Sequence, residues 1–186
     1  MTVALRVPAT SSAPAMLIRP WHEEDLAALL EAYRDPALRR FTRVPVESHD
    51  DALRWLDVRQ RGWDAGDHLG FAVLEERDDG DSGEGRLVAN VAVKRPDRAE
   101  SSGEVGYWTV AEARGRGVAP RALEAVTVWA FDTFADDGLQ HLELLHQVDN
   151  AASCRVAEKC GYVYQSTLPP YPPFPLDGHL HIRIAQ

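Results

Sequence analysis

Disulfide staples, apolar membrane spans and positive charge are all scarce in this sequence. Its two cysteines, Cys154 and Cys160, are too few for a disulfide framework. They fall six residues apart in one expected helix and point to different sides of it, which argues against a bridge between them. A reducing cytoplasm is therefore the expected setting. No apolar stretch approaches the roughly 18–20 residues needed to cross a bilayer. Residues 1–15 carry one charge, Arg6, and lack a basic region followed by an apolar core. They read as a flexible lead-in rather than a signal peptide. Lys and Arg number 20 against 29 Asp and Glu, a net charge of −9. So acidic a chain has no overall attraction for nucleic acid or anionic lipid, and weakly favours cationic partners such as amines.

The composition that remains, 45% apolar and 26% charged over 186 residues, is that of an ordinary globular chain. One domain over residues 16–186 fits this length. Alternating or β-branched runs predict strands at 16–19, 68–75, 87–94, 104–110, 140–147, 162–167 and 179–184. Helical spacing and cap residues predict helices at 23–34, 48–63, 120–134 and 150–159. Asp35-Pro36 is expected to break the first of these. An acidic, glycine-rich stretch at 77–85 reads as a hairpin loop, 96–103 as a turn, and 168–178 as a loop stiffened by five prolines. The expected fold is α/β (α+β): a single mixed sheet of about seven strands flanked by about four helices.

The most informative stretch is Arg114-Gly115-Arg116-Gly117-Val118-Ala119. A strand ends, a glycine-rich loop follows and a helix begins. Such a junction offers unpaired backbone N–H groups and the positive end of a helix dipole, which suits a phosphate. The alternative is a plain tight turn with solvated arginines. The stretch is neither a P-loop, which needs Gly-Lys-Ser/Thr, nor the Gly-x-Gly-x-x-Gly dinucleotide fingerprint.

This loop resembles the Arg/Gln-x-x-Gly-x-Gly/Ala loop of the GNAT superfamily of acyl-CoA-dependent N-acetyltransferases. Glu104-Val105-Gly106-Tyr107-Trp108-Thr109-Val110 is similar to the strand before it, and Asp149-Asn150-Ala151-Ala152-Ser153 with Glu158-Lys159-Cys160-Gly161-Tyr162 is similar to the second acyl-CoA half-motif. Leu17-Ile18-Arg19-Pro20 resembles the opening strand, so the likeness spans about residues 16–184. The pattern looks most like the branch of ribosomal-protein N-terminal acetyltransferases and antibiotic-modifying relatives. The resemblance implies a mostly antiparallel sheet whose two parallel strands, near 104–110 and 140–147, splay into a V holding the acetyl thioester. It implies acetyl-CoA as co-substrate, with its pyrophosphate on Arg114, Gly115, Arg116, Gly117, Val118 and Ala119. Its pantetheine would lie along Thr109, Val110, Asn150 and Ser153.

The implied reaction is attack of a neutral amine on the thioester, through an oxyanion, with loss of CoA thiolate. Glu104 stands where some family members carry a base; a solvated strand carboxylate is the plainer reading. The family's tyrosine acid, seven residues after the asparagine, is replaced by Ala157. Ser153 takes the place used by the ribosomal-protein branch and could donate to the leaving sulfur, or it could simply cap the helix. Trp55, Tyr107, Tyr171 and Phe174 are the expected acceptor contacts; the loop bearing Tyr171 and Phe174 would equally suit a homodimer contact. His179 and His181 share a strand face, but no third ligand accompanies them in sequence, and no metal is expected. Cys154 and Cys160 read as helix-packing residues. Two rivals stay open: an acyl-CoA-binding module without turnover, which the missing tyrosine permits, and transfer of a larger acyl group such as succinyl. The acceptor itself is open among peptide α-amines, aminoglycosides, polyamines and small amino compounds.

Overall fold

A computed structural model describes residues 3–76, 85–95, 97 and 99–185. The loop expected at 77–85 lies outside the described residues apart from Gly85, and the turn at 96–103 is described only in part. One eight-stranded sheet runs in the order β1-β2-β3-β4-β5-β6-β8-β7. The strands are β1 (Leu5–Val7), β2 (Met16–Pro20), β3 (His68–Glu75), β4 (Arg86–Lys94), β5 (Ser102–Thr109), β6 (His141–Gln147), β7 (Val163–Leu168) and β8 (Gly178–Ile184). Among the described residues, five α-helices accompany them: α1 (Leu26–Ala32), α2 (Pro36–Phe41), α3 (His49–Ala65), α4 (Val118–Thr133) and α5 (Ala151–Lys159).

Three elements depart from the sequence reading. Within the expected flexible lead-in, Leu5–Val7 forms an edge strand paired with residues 16–18 of β2. Arg121 helps to hold it, donating to the carbonyls of Pro8 and Pro14. Pro36 does not merely end a helix. It occupies the first turn of α2, where its missing N–H costs nothing, and Asp35 caps that turn by accepting from Ala37 N at 2.9 Å. The expected helix at 23–34 is a 3-10 turn, Glu23–Asp25, followed by α1.

β3 and β4 are buried along nearly their whole length, on both pleat faces. α3 packs on β3 and α4 on β4, which explains why these strands read as continuous apolar runs. α3 opens with a reciprocal cap, Ser48 and Asp51 each accepting the other's backbone N–H, and ends at Gly66 with φ 71°.

Among the described residues, the one parallel contact is β5 against β6. It extends only over Ser102 to Val105 against His141 to Leu144. β5 then runs on to Thr109 and β6 to Gln147 without pairing to each other. The sheet therefore opens between its two parallel strands. Val110 N–H donates to the Val88 carbonyl on the β4 side at 3.0 Å. By the alternation of an antiparallel ladder, the backbone groups of Tyr107 and Thr109 point the other way, into the opening.

Candidate active site

The opening leads into a cleft of about 650 Å³, within the range of small-molecule sites. Seven of the residues singled out in the sequence face it: Glu104, Tyr107, Asn150, Ser153, Trp55, Tyr171 and Phe174. They arrive from α3, β5, α5 and the proline-rich loop. The end of α2 adds Phe41 and the segment after it Arg43, and Arg40 of α2 is ion-paired with Asp149 just before α5. Thr109, the last residue of β5, lies outside the cleft lining, as do Val110 and the 114–119 loop beyond it.

Gly115 and Gly117 have φ of 74° and 77°, a backbone conformation that side chains disfavour. A Cβ at either would meet nothing within 4 Å, so backbone conformation rather than crowding calls for glycine. The N–H groups of Gly115, Arg116 and Gly117 meet no acceptor among the described residues, and those of Val118 and Ala119 open a helix, where no intrahelical partner exists. The junction thus aims a set of bare donors outward. Its arginines are not the free charges the sequence suggested. Arg114 is paired with Asp35 and Arg116 with both oxygens of Glu75. Burial would raise both carboxyls, but their hydrogen bonds, including those from these guanidinium groups, outweigh it and hold both below the usual range. Val110 keeps no unpaired backbone group to offer. Its N–H is taken by Val88 and its carbonyl accepts from Ala113, so Thr109 is the residue left with strand-edge groups on the open side.

At the opposite wall, Asn150 Oδ1 accepts the Ser153 N–H at 3.2 Å and caps α5. The capping alternative for Ser153 therefore falls away. Its hydroxyl instead meets the Tyr107 hydroxyl at 3.1 Å. Burial pushes Tyr107 up to about 12, so it stays protonated and can donate to Ser153 Oγ. That leaves the serine hydrogen free for a group in the cleft. Glu104, at the closed end of the splay, is ion-paired with Lys94 of β4.

Residues the sequence did not single out add to the cleft wall. Arg59 lies over the Trp55 ring at 4.3 Å, and its buried Nε has no hydrogen-bond partner among the described residues. His68 Nε2 is equally buried and unpartnered. Helical spacing from Trp55 to Arg59 on α3 was the available signal for the first. Burial, with Arg59 and Lys94 nearby, lowers His68 from 6.5 to about 4. Between these values the unfolded chain binds a proton that the folded chain refuses. Stability is then full above about pH 6.5 and falls as pH drops toward about 4. Thermal melts over this window should show a smaller decline for His68→Gln than for wild type; equal slopes would assign the decline to other groups.

A second cluster adjoins the cleft. The ligand atoms of His146, Cys154, His179 and His181 all lie within 4.8 Å of one another. His146 comes from β6 and Cys154 from α5, partners for the β8 pair that sequence spacing alone could not reveal. Burial lowers His146 and His181, and raises the Cys154 thiol, with Glu158 adding to the latter.

A strand that parts from its parallel neighbour, followed by a loop of bare N–H groups at a helix start, is the arrangement the sequence resemblance implied. The profile of the family described as "Acetyltransferase (GNAT) domain" matches residues 15–163. The chain belongs to the GNAT acetyltransferase family. Solved structures agree in fold with this acetyltransferase. RimJ of Mycobacterium smegmatis, in complex with CoA-disulfide, is 20% identical with TM-score 0.79, covering 99% of this chain and 87% of its own. RimL, a ribosomal L7/L12 α-N-protein acetyltransferase in complex with coenzyme A, is 15% identical with TM-score 0.78, covering 97% and 98%. The microcin C7 self-immunity acetyltransferase MccE, in complex with acetyl-CoA and AMP, is 15% identical with TM-score 0.77, covering 95% and 98%. No curated protein matches this acetyltransferase significantly. Among its described residues, no helix is long and apolar enough to cross a membrane.

Proposed function

We propose that this acetyltransferase moves the acetyl group of acetyl-CoA to a primary amine by direct attack in a ternary complex. The observation that carries the reading is the continuity of donor loop, strand edge and cleft. Bare N–H groups of residues 115–119 suit the pyrophosphate, the open edge of Tyr107 and Thr109 suits the pantetheine amides, and the cleft between β5 and β6 receives the thioester. The resemblance to ribosomal-protein acetyltransferases favours a peptide α-amine, or a small amine of similar shape, as acceptor. Arg59, seated on Trp55 inside the cleft, would hold a carbonyl or carboxylate oxygen of that acceptor.

In the reaction the amine lone pair attacks the thioester carbon and a C–N bond forms. The oxyanion collapses, the C–S bond breaks, and the sulfur leaves with the electron pair. Glu104 takes the amine proton. Ser153 donates to the departing sulfur, positioned by Tyr107. Tyr171 and Phe174 cover the acceptor, a use supported by the Arg43 guanidinium lying 5.4 and 5.6 Å from their ring centres on the cleft side. The same loop as a homodimer contact is the other use of these rings, and sedimentation of the free protein decides between them. Two free thiols suit a cytoplasmic setting.

Thiol release from acetyl-CoA across a panel of peptide and small-molecule amines tests the reading, with succinyl-CoA as a second donor. Release that depends on no amine would sink it in favour of a binding module. Gly117→Asp should lose at least about tenfold in acetyl-CoA affinity, about 1.4 kcal/mol. It places a side chain at φ 77° and a carboxylate before the pyrophosphate. Calorimetry finding unchanged affinity in a folded variant removes the loop from the CoA site.

A further inference from the structure

The His146, Cys154, His179 and His181 cluster has more lone pairs than protons to fill them. His146 Nδ1 lies 2.8 Å from the Gln147 carbonyl and His181 Nδ1 lies 3.4 Å from the Tyr162 carbonyl. A carbonyl only accepts, so each Nδ1 carries the hydrogen and each Nε2 is bare. Those two bare nitrogens face one another at 3.2 Å. Cys154 Sγ sits 3.5 Å from His146 Nε2, 3.9 Å from His181 Nε2 and 3.4 Å from His179 Nδ1. A single thiol proton can serve one of these three acceptors. The others point at each other across a pocket where His181 is only 2% exposed.

From this convergence we infer that His146, Cys154, His179 and His181 form a binding site for a divalent transition metal of the zinc class. Three imidazoles and one thiolate suit Zn²⁺ or Co²⁺ and offer no oxygen for Mg²⁺ or Ca²⁺. A tetrahedron with Zn–N of about 2.0–2.1 Å and Zn–S of about 2.3 Å has ligand–ligand edges of about 3.3–3.6 Å. Four of the six edges, at 3.2 to 3.9 Å, bracket them, and the two from His179 to the other imidazoles lie within 4.8 Å. The Nδ1–H bonds to backbone carbonyls are the outer contacts that orient metal-bound histidines. Tyr164 packs its ring against His179 and His181, with centres 5.3 and 5.8 Å apart, and shelters the cluster from that side. On binding, the Cys154 S–H proton goes to solvent and the sulfur ligates as thiolate. The ion would tie the first turns of α5 to β6 and β8, and so fix the helix that brings Asn150 and Ser153 to the cleft. The acetyl transfer itself calls on no metal.

The test uses full-length, tag-free protein stripped by a chelator that is then removed. CoA is left out because its thiol binds metals. Titration with Zn²⁺ should give one ion per chain and about one proton released per ion, read by calorimetry in buffers of different ionisation enthalpy. Co²⁺ should add a sulfur-to-metal charge-transfer band. Cys154→Ser should abolish that band, and Cys154→Ser and His179→Ala should each weaken binding by at least about a hundredfold. Circular dichroism and metal-free melting temperature check that the variants fold; Cys154 and His179 are both only partly buried. Absence of saturable binding by wild type overturns the site. Binding unaltered in both variants overturns it as well, because other histidines would then hold the ion.

Discussion

Glu104→Gln is expected to slow turnover by about 10²–10⁴-fold, the usual loss for a general base. The deficit should be largest at lower pH, where the acceptor is mostly ammonium and its proton must be removed. Acetyl-CoA affinity should hardly move. Glu104 stands at the closed end of the splay, among acceptor-side residues and away from the 114–119 loop. Its pairing with Lys94 supplies a control. If the carboxylate only neutralised that ammonium, Glu104→Gln would act through stability, and the double variant with Lys94→Met would recover what the single variant lost. If Glu104 removes the amine proton, the double variant stays as slow as Glu104→Gln alone. A Glu104→Gln enzyme within about threefold of wild type from about pH 6 to 9 would hand the proton to water.

Local patterns carried much of the fold. Strands β2 to β8 carry apolar, alternating or β-branched runs, helices α3, α4 and α5 carry helical spacing or their own caps, and all these signals are local. β1 was missed because a three-residue edge strand has too little sequence to alternate, and its pairing comes entirely from β2. α2 is not legible locally because Asp-Pro reads as a stop, although the same pair is a cap followed by a favoured first helical residue. In the site, glycine positions were legible since a positive φ leaves a mark on residue type. The ion partners of Arg114 and Arg116 were not, because Asp35 and Glu75 are 79 and 41 residues away in sequence. The histidine cluster shows the same limit. His179 and His181 share a strand face, whereas His146 joins through β6–β8 pairing and Cys154 through helix packing. The missing tyrosine at Ala157 was visible at once, but the Tyr107 hydroxyl that reaches Ser153 from another element was not.

That contact sets the second large effect. Ser153→Ala should cut turnover by about 10²-fold, comparable to removing one hydrogen-bond donor from a developing charge. Acetyl-CoA affinity should change little, as for an interaction made mainly in the transition state. Stability should also change little, because Asn150 owns the helix cap and Ser153 contributes to it only a backbone N–H. Asn150→Ala gives the opposite signature on this count, a melting temperature lower by a few degrees. Tyr107→Phe keeps the ring and removes the donor that orients Ser153, so its loss should be smaller, about tenfold. Because Tyr107 acts through Ser153, the double variant should be no slower than Ser153→Ala alone. With Tyr107 pushed up to about 12, its role should persist unchanged through alkaline assays. Losses that multiply in the double variant would place the two hydroxyls on separate steps. Normal turnover with a lowered melting temperature in Ser153→Ala would make that residue structural, and the thiolate would then leave without a protein acid.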